Sequence, residues 1–481
     1  MPSLSFAFHV AGILVAGLGM LMMVPAIIDL ALGNVDWQVF ADCALVTWFI
    51  GLLLAQATRR PATELLSIRD GFIMTTLVWV ILAGFSALPF LGLGLDYSDA
   101  YFEAISGLTT TGATVLTGLD HLPPGILFWR ALLQWVGGVG IVVMAILILP
   151  FLRVGGMQLV HIESSERSGK VVPRAFQLIS YIVGIYSGLT FACAVAYGLA
   201  GMTPFDAVSH AMTTLSTGGY ANYDASFAYY KQASVHWLGI FFMIAGCLPF
   251  IAYIRAVQGD PGNIWRNPQV KALILLLAIA GVGLALWLSF AQGIAFADAL
   301  RLSLFNVTSV VTTTGFASDD FGSWGPLAAV VFFVLMFAGG CTGSTSGSVK
   351  LYRHLVLAVV VRAHLQRLAH PRRVVPLTYA GRRLPADIAP SVLAFLAVYL
   401  GTIVVFATAL AAMGLDFTTS ISAATTAIGN VGPGLGTVIG PAGNFASVPD
   451  PAKWILSVAM LMGRLELFAV LVLLDPDFWR S

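Results

Sequence analysis

Four short stretches of Thr, Ser and Gly have the residue types to hold a cation in place of its water shell. Leu108-Thr109-Thr110-Thr111-Gly112-Ala113 is the first. Leu215-Ser216-Thr217-Gly218-Gly219-Tyr220 and Val311-Thr312-Thr313-Thr314-Gly315-Phe316 repeat its form, and Thr425-Thr426-Ala427-Ile428-Gly429-Asn430 is a looser fourth copy. A dehydrated cation needs oxygens, which a run of backbone carbonyls supplies. Glycine allows the positive-φ backbone that turns such carbonyls to one side, and threonine hydroxyls add ligands or pack behind them. This assigns ion coordination to Thr110, Thr111 and Gly112, to Thr217, Gly218 and Gly219, to Thr313, Thr314 and Gly315, and to Ala427, Ile428 and Gly429, with Asn430 lining the site. One such loop looks like an ordinary turn. Four in one chain are a repeat, which must be sought before any fold is assigned.

Each loop follows a short amphiphilic segment that opens on an aspartate: Asp99, Asp206, Asp298 and Asp416. From the aspartate to the last glycine is 13 residues in the first, second and fourth copies and 17 in the third. Aspartate at a helix start caps free N–H groups and complements the positive end of the dipole. The negative ends of four such helices, converging on one axis, would favour a cation there. A helix from Asp99 to Leu108 is about 15 Å long, half of a hydrocarbon core of roughly 30 Å. These segments therefore enter and return on one side, with their irregular backbone covered by protein or water.

The rest of the chain must position those loops inside a membrane. Its 481 residues would suit three soluble domains, but it is 58% hydrophobic and 10% charged, against about 25% charged for soluble proteins. Long apolar runs recur near the roughly 20 residues a spanning helix needs, and the alternation of a membrane barrel is absent. Two spans are expected at 7–32 and 38–57, joined by Gly33-Asn34-Val35-Asp36, with Pro25 kinking the first. Ser5 to Leu32 lacks the basic start and cleavage site of a removed signal, so it reads as a retained span. Outer spans of the repeats follow at 71–92 and 126–152, 176–201 and 235–257, 270–293 and 324–363, and 388–414 and 452–474. The fold class is an all-α polytopic membrane protein: four pseudo-symmetric span–pore-helix–loop–span repeats around a central pore, plus two N-terminal spans. The divisions fall at 1–70, 71–175, 176–269, 270–387 and 388–481.

Lysine and arginine set the orientation. The connections at 58–70, 153–175, 255–271 and 353–385 hold Arg59, Arg60, Arg69, Arg153, Arg167, Lys170, Arg174, Arg255, Arg266, Lys271, Arg353, Arg362, Arg367, Arg372, Arg373, Arg382 and Arg383. The opposite side holds Arg130, Lys231, Arg301 and Lys453. The basic side is expected to be cytoplasmic, both termini with it. The outer side carries Asp96, Asp99, Glu103, Asp120, Asp206, Asp224, Asp298, Asp319, Asp320 and Asp416, an acidic vestibule that would concentrate cations. Cys43, Cys193, Cys247 and Cys341 sit in apolar stretches without metal-ligand spacing and read as small buried hydrophobes. The eight histidines form no ligand pair.

One more stretch interrupts a span. Ala338-Gly339-Gly340-Cys341-Thr342-Gly343-Ser344-Thr345-Ser346-Gly347-Ser348-Val349-Lys350 has too much glycine and serine to remain helical, and lacks the adjacent Gly-Lys of a phosphate-binding loop. It reads as an unwound segment in the pore under the Thr/Gly loops; small-residue helix packing is the alternative. Arg464, on the last span, needs a partner at membrane depth. It is expected to meet carbonyls of that segment with Lys350 nearby, the alternative being an arginine that reaches to the inner interface. Glu466, two residues on, should face elsewhere on its helix.

Arg130…Gln134-Trp135-Val136-Gly137-Gly138 after the first loop, and Ala427-Ile428-Gly429-Asn430-Val431-Gly432-Pro433-Gly434 in the fourth, resemble the Trk/Ktr/HKT superfamily of potassium transporters. The two extra N-terminal spans and Gly463-Arg464-Leu465-Glu466 are similar to its bacterial TrkH-like membrane subunits in particular. The resemblance covers nearly the whole chain. It implies uptake of K⁺ as the transported ion across the cytoplasmic (inner) membrane, with no enzymatic activity, no organic cofactor and no nucleic-acid partner. It also implies a homodimer in the lipid bilayer and a TrkA-like cytosolic nucleotide-binding ring; the basic stretch 362–385 is the surface expected to dock that ring, the alternative being that its charges set topology alone. Glycine at 112 matches potassium-selective members, where sodium-carrying plant relatives have serine. The family's intramembrane loop is a gate, and the resemblance carries that role to Gly339, Gly340, Cys341, Thr342, Gly343, Ser344, Thr345, Ser346, Gly347 and Ser348, with Lys350 and Arg464 beside them.

The residues alone leave two other classes open. A secondary transporter with inverted repeats would place carboxylates inside spans, and only Asp29, Asp42 and Glu466 qualify. An intramembrane enzyme would need a nucleophile–base or metal-ligand set, and the sequence contains none.

Overall fold

The structure, a computed structural model, describes residues 4–59, 67–147 and 171–480, with only the backbone course given for 147 and 171–175. Arg60, Arg153, Arg167 and Lys170 of the basic connections lie outside the described residues, as does the end of the span expected at 126–152.

Two antiparallel helices come first, Leu4–Leu32 and Trp37–Ala57. The first continues through Pro25. They approach closely because glycines face each other's backbone. A Cβ on Gly12 would lie 2.5 Å from Ala55 N, and one on Gly19 would lie 2.7 Å from Trp48 N. Small residues at helix contacts are how apolar helices pack without a hydrophobic driving force.

The first span of each later unit is long and apolar: Ile68–Leu91, Val171–Leu199, Pro268–Gln292 and Ile388–Ala412. The second spans differ from expectation. Pro124–Leu147 runs without a break to the edge of the described residues. The spans expected at 235–257 and 452–474 are each broken, into Ala233–Cys247 and Phe250–Val257 at 91°, and into Asp450–Arg464 and Phe468–Leu474 at 109°. Pro249 explains the first break: proline supplies no N–H and pushes the residue before it out of helical space, and Leu248 has ψ 155°. The second break has no Gly or Pro at its corner. Glu466 and Leu467 hold φ of 63° and 50° there, stabilised by contacts described below. In the third unit the helix ends at Leu335 and resumes at Leu351, so the expected interruption is present.

Between the spans lie four short helices, Tyr97–Leu108, Pro204–Leu215, Phe296–Val311 and Phe417–Gly429. The first two have 12 residues and the third 16, one extra turn, which accounts for its longer aspartate-to-glycine spacing. The aspartates are not all caps, as the spacing suggested. Asp416 is the N-cap of the fourth and accepts from Thr419 N–H at 3.1 Å. Asp99, Asp206 and Asp298 lie inside the first turn, after Asp96, Thr203 and Ala295. Asp206 instead shares a reciprocal bond with the Thr203 hydroxyl. All four carboxylates still complement the helix N-terminus.

The all-α expectation holds but for a two-residue hairpin in the basic connection, Thr378–Tyr379 with Arg382–Arg383. Its turn, Ala380-Gly381, has positive φ at both positions. Cys193, Cys247 and Cys341 are buried and unpaired, and Cys43 is half-buried.

Candidate functional site

The four Thr/Gly loops share one backbone. After the last helical turn comes a residue with φ between 51° and 57°: Thr110, Thr217, Thr313 and Asn430. Two residues later stands a glycine with φ of 84°, 80°, 85° or 106°: Gly112, Gly219, Gly315 and Gly432. The residue between them donates its N–H five residues back in every case. These bonds are Thr111 to Ser106 O (2.9 Å), Gly218 to Thr213 O (2.9 Å), Thr314 to Ser309 O (2.8 Å) and Val431 to Thr426 O (3.0 Å).

This common geometry moves the fourth loop by three residues. Ala427, Ile428 and Gly429 belong to the last turn of the helix Phe417–Gly429, so they do not occupy the positions expected of them. The counterparts of Thr110, Thr111 and Gly112 are Asn430, Val431 and Gly432. Asparagine takes left-handed backbone more readily than other L-residues, and this, followed by Gly432, was the available signal. The Thr-Thr-x-x-Gly spelling obscured it.

Each ring glycine faces the carbonyl of the residue that precedes the next one. A Cβ on Gly112 would collide with Gly218 O, one on Gly219 with Thr314 O, and one on Gly315 with Val431 O. A Cβ on Gly432 would lie 2.8 Å from Thr111 O, which returns to the first loop and closes the ring. Glycine is required there twice, for its φ and for the space. All four glycines line one cavity, with Asp224, Arg130, Tyr220 and Asn444 on its rim.

The ten acids expected at the outer vestibule are dispersed rather than gathered at this cavity. Glu103 is wholly buried, ion-paired to Arg130 (2.8 Å) and bonded to Thr114 and Val115 N–H. Asp99 pairs with Lys453 (2.5 Å) and Asp298 with Arg301 (3.0 Å). Asp206 is held by Asn222 and Tyr223. Asp224 alone of the ten acids lines the cavity, and it also accepts from Gly118 and Leu119 N–H. Asp96, Asp120, Asp298, Asp320 and Asp416 are exposed to solvent, whereas buried Glu103 has the charge partner that a buried carboxylate needs.

The hydroxyls divide by position. Thr111 and Thr314 pair with Thr109 and Thr312 at 2.8 Å, behind the backbone. Thr217 and Thr313 instead reach the interrupted span. Thr217 Oγ1 donates to Thr345 Oγ1 (3.2 Å), and Thr313 Oγ1 accepts from Gly347 N–H (2.8 Å). Gly347 packs so closely that a Cβ would lie 2.5 Å from Gly429 O.

The interrupted stretch is buried throughout from Gly339 to Lys350 and is held by breaks in its neighbours. Cys341 N–H donates to Cys247 O (3.2 Å), and Phe250 N–H donates to Gly343 O (2.9 Å), so the corner at Leu248-Pro249 supplies both an acceptor and a donor. Thr345 Oγ1 donates to Leu215 O and Gly246 O, and Thr342 N–H to Gln269 Oε1. Ser346 Oγ accepts from Gly340 N–H (2.7 Å), Ser344 Oγ donates to Cys341 O, and Ser348 Oγ to Met336 O. Arg464, 3% exposed, donates Nη1–H to Thr345 O at 2.8 Å. Lys350 is turned toward Glu466 (3.7 Å), and Arg353 bonds the same carboxylate at 2.6 Å while lying 3.6 Å over the Phe395 ring. Glu466 is not on the helix of Arg464 as expected: the helix ends at Arg464, and Glu466 sits at the corner with φ 63°. Its pairing with Arg353 and Lys350 was not legible in the sequence, because those residues are more than a hundred positions away.

Fold and site together define a polytopic helical membrane protein in which four half-length helices end in a closed ring of loops above an unwound span. The chain belongs to the TrkH family of cation transport proteins, whose pattern matches residues 37–480. It is 50% identical over 85% of its length to the Trk system potassium uptake protein TrkI of Halomonas elongata, covering 84% of that protein. It is 38% identical over 98% of its length to the Trk system potassium uptake protein TrkH of Vibrio parahaemolyticus, covering 99% of it. The crystal structure of the potassium transporter TrkH from Vibrio parahaemolyticus superposes with a TM-score of 0.92 at 37% identity, over 99% of this chain and 100% of that one. These relatives are transport proteins, not enzymes.

Proposed function

We propose that this chain takes up K⁺ across the cytoplasmic membrane through a pore whose selectivity filter is the ring of four loops. The observation that carries this is the closed order of glycine against carbonyl, Gly112 to Gly218, Gly219 to Thr314, Gly315 to Val431 and Gly432 to Thr111. Four backbone segments ranked about one axis, each at the negative end of a buried half-helix, replace a hydration shell without a fixed anion. The names of the relatives supply the ion. The chain then divides into two N-terminal spans and four pore units at 71–175, 176–269, 270–387 and 388–481.

The stretch Gly339–Ser348 is the gate in this reading. It lies against Thr217 and Thr313 at the base of two loops, and its conformation is stabilised by Arg464. A buried guanidinium beside the path adds positive charge, so both sterics and electrostatics oppose K⁺ when the stretch is in place. Arg362 and Arg367 lie on the helix Leu351–Ala369, Arg372 and Arg373 follow it, and Arg382 and Arg383 form one strand of the hairpin; a TrkA-like nucleotide-binding ring would dock on this basic connection of a homodimer. Both termini are on that same face, and K⁺ is cargo rather than a resident cofactor.

Reconstituted into proteoliposomes, the parent protein should take up Rb⁺, a K⁺ surrogate, in preference to Na⁺. Equal uptake of the two ions would overturn the filter assignment.

A further inference from the structure

In three of the four loops the residue before the ring glycine carries a side chain: Thr111, Thr314 and Val431. In the second loop it is Gly218, and the side-chain space there is filled from another helix. A Cβ on Gly218 would collide with Cδ and Oε1 of Gln134. Gln134 is fully buried on the helix Pro124–Leu147, which belongs to the first unit rather than the second. Its Nε2–H donates to Gly218 O at 2.7 Å, and its Oε1 accepts from Tyr220 N–H at 3.0 Å. One amide therefore grips the peptide groups on both sides of Gly219.

The Gly218 carbonyl is a member of the ring, the one that faces Gly112. Among the described residues, no side chain donates to the other three ring carbonyls. In the first and third loops a local device does the bracing: Thr111 pairs with Thr109, and Thr314 with Thr312, each at 2.8 Å. The second loop has Ser216 at the matching position but no hydroxyl at 218 to meet it.

We propose that Gln134 is a positioning residue for ion selection, standing in for the missing side chain of residue 218 and fixing the ring carbonyl of the second quadrant. This rests on the filter reading above. Selection by a carbonyl ring depends on how many dipoles face the ion and how freely they approach it. A carbonyl released from its donor closes on a smaller ion more readily, so loss of the brace favours Na⁺.

The test is a swap. Gln134→Ala should lower the Rb⁺ to Na⁺ uptake ratio roughly fivefold, the factor worth one ordinary hydrogen bond. Gln134→Ala combined with Gly218→Thr should recover most of that ratio. The introduced threonine would refill the space and place a hydroxyl near Ser216, the arrangement of the first and third loops. Gly218 lies outside the left-handed region, so threonine meets no backbone obstacle once Gln134 is shortened. Gly218→Thr alone should lose transport, because it collides with Gln134.

A Gln134→Ala variant as selective as the parent, or a double variant no better than Gln134→Ala, overturns the proposal. A parent that does not prefer Rb⁺ overturns the filter reading and this inference with it, whereas a selective parent beside an equally selective variant overturns this inference alone. Thermal midpoint and monodispersity in detergent accompany each measurement. Should Gln134→Ala not fold, Gln134→Met, which keeps the volume and removes both bonds, carries the same expectation. Failure of both to fold assigns Gln134 to stability and overturns the proposal.

Discussion

Replacing Gly432 and Gly429 by alanine, one at a time, separates the ring from the helix that carries it. Gly432 has φ 106°, and a Cβ there would lie 2.8 Å from Thr111 O. Left-handed backbone costs an L-residue roughly 1–2 kcal/mol, and overpacking against a backbone atom adds about 1–3 kcal/mol. The carbonyl can yield only by moving the first loop, so part of this strain appears as displacement of the ring. If half of it does, K⁺ discrimination falls by about tenfold, since roughly 1.4 kcal/mol is one factor of ten. Gly429 sits in the last helical turn, where the nearest atoms to a Cβ are Val431 Cγ2 at 3.2 Å, Met336 O at 3.5 Å and Tyr399 Oη at 3.5 Å. Alanine there gains up to about 1 kcal/mol of helix propensity and meets one tight contact, the Val431 side-chain methyl, which can give by a few tenths of an ångström, and two ordinary ones. Gly432→Ala should therefore lose preference for Rb⁺ over Na⁺ in proteoliposomes, while Gly429→Ala keeps it with an equal or higher thermal midpoint. The reverse outcome, with Gly429→Ala unselective and Gly432→Ala normal, would move the fourth loop three residues upstream and refute the argument from shared backbone geometry.

Arg464→Ala, or removal of residues within Gly343–Ser346, takes away the contact between Arg464 and Thr345 O. Either change should raise basal Rb⁺ flux without any partner, provided expression and oligomer content match the parent; unchanged flux from well-folded protein would put the gate elsewhere. Glu466→Gln leaves Arg353 and Lys350 without their shared carboxylate, and breaking a buried pair in this way costs about 3–5 kcal/mol. Its thermal midpoint in detergent should drop by several degrees, and an unchanged midpoint would mean that the corner at Glu466-Leu467 is supported by packing alone.

Several features lie elsewhere than local pattern suggests, each for an identifiable reason. The fourth loop looks three residues earlier in the sequence because Gly429 ends a Thr-rich run. Where the helix stops depends on Asn430, whose Nδ2–H bonds Thr111 Oγ1 and Met460 O, two groups remote in sequence. The side expected to face outward is acidic by composition, yet three of its ten acids, Asp99, Glu103 and Asp298, are ion-paired to basic residues. Glu103 meets Arg130 and Asp99 meets Lys453 only once the spans are packed. The corner at Leu248 has a signal in Pro249, hidden inside an otherwise apolar span.

The sequence by itself determined the membrane class, the four half-length helices, the Thr/Gly loops of the first three units and the interrupted span. These follow from local hydrophobicity, length and glycine content, which act over a few residues and are written in order along the chain. Tertiary structure alone decided which glycine of the fourth loop joins the ring, which acids remain free, and that Gln134 of one unit braces Gly218 of the next. It also decided the sharp corner at Glu466-Leu467, where no Gly or Pro announces a break. The physical reason is common to all of these. A strained or unpaired group persists only when a partner satisfies it, and here the partners lie from 27 to 319 residues away along the chain.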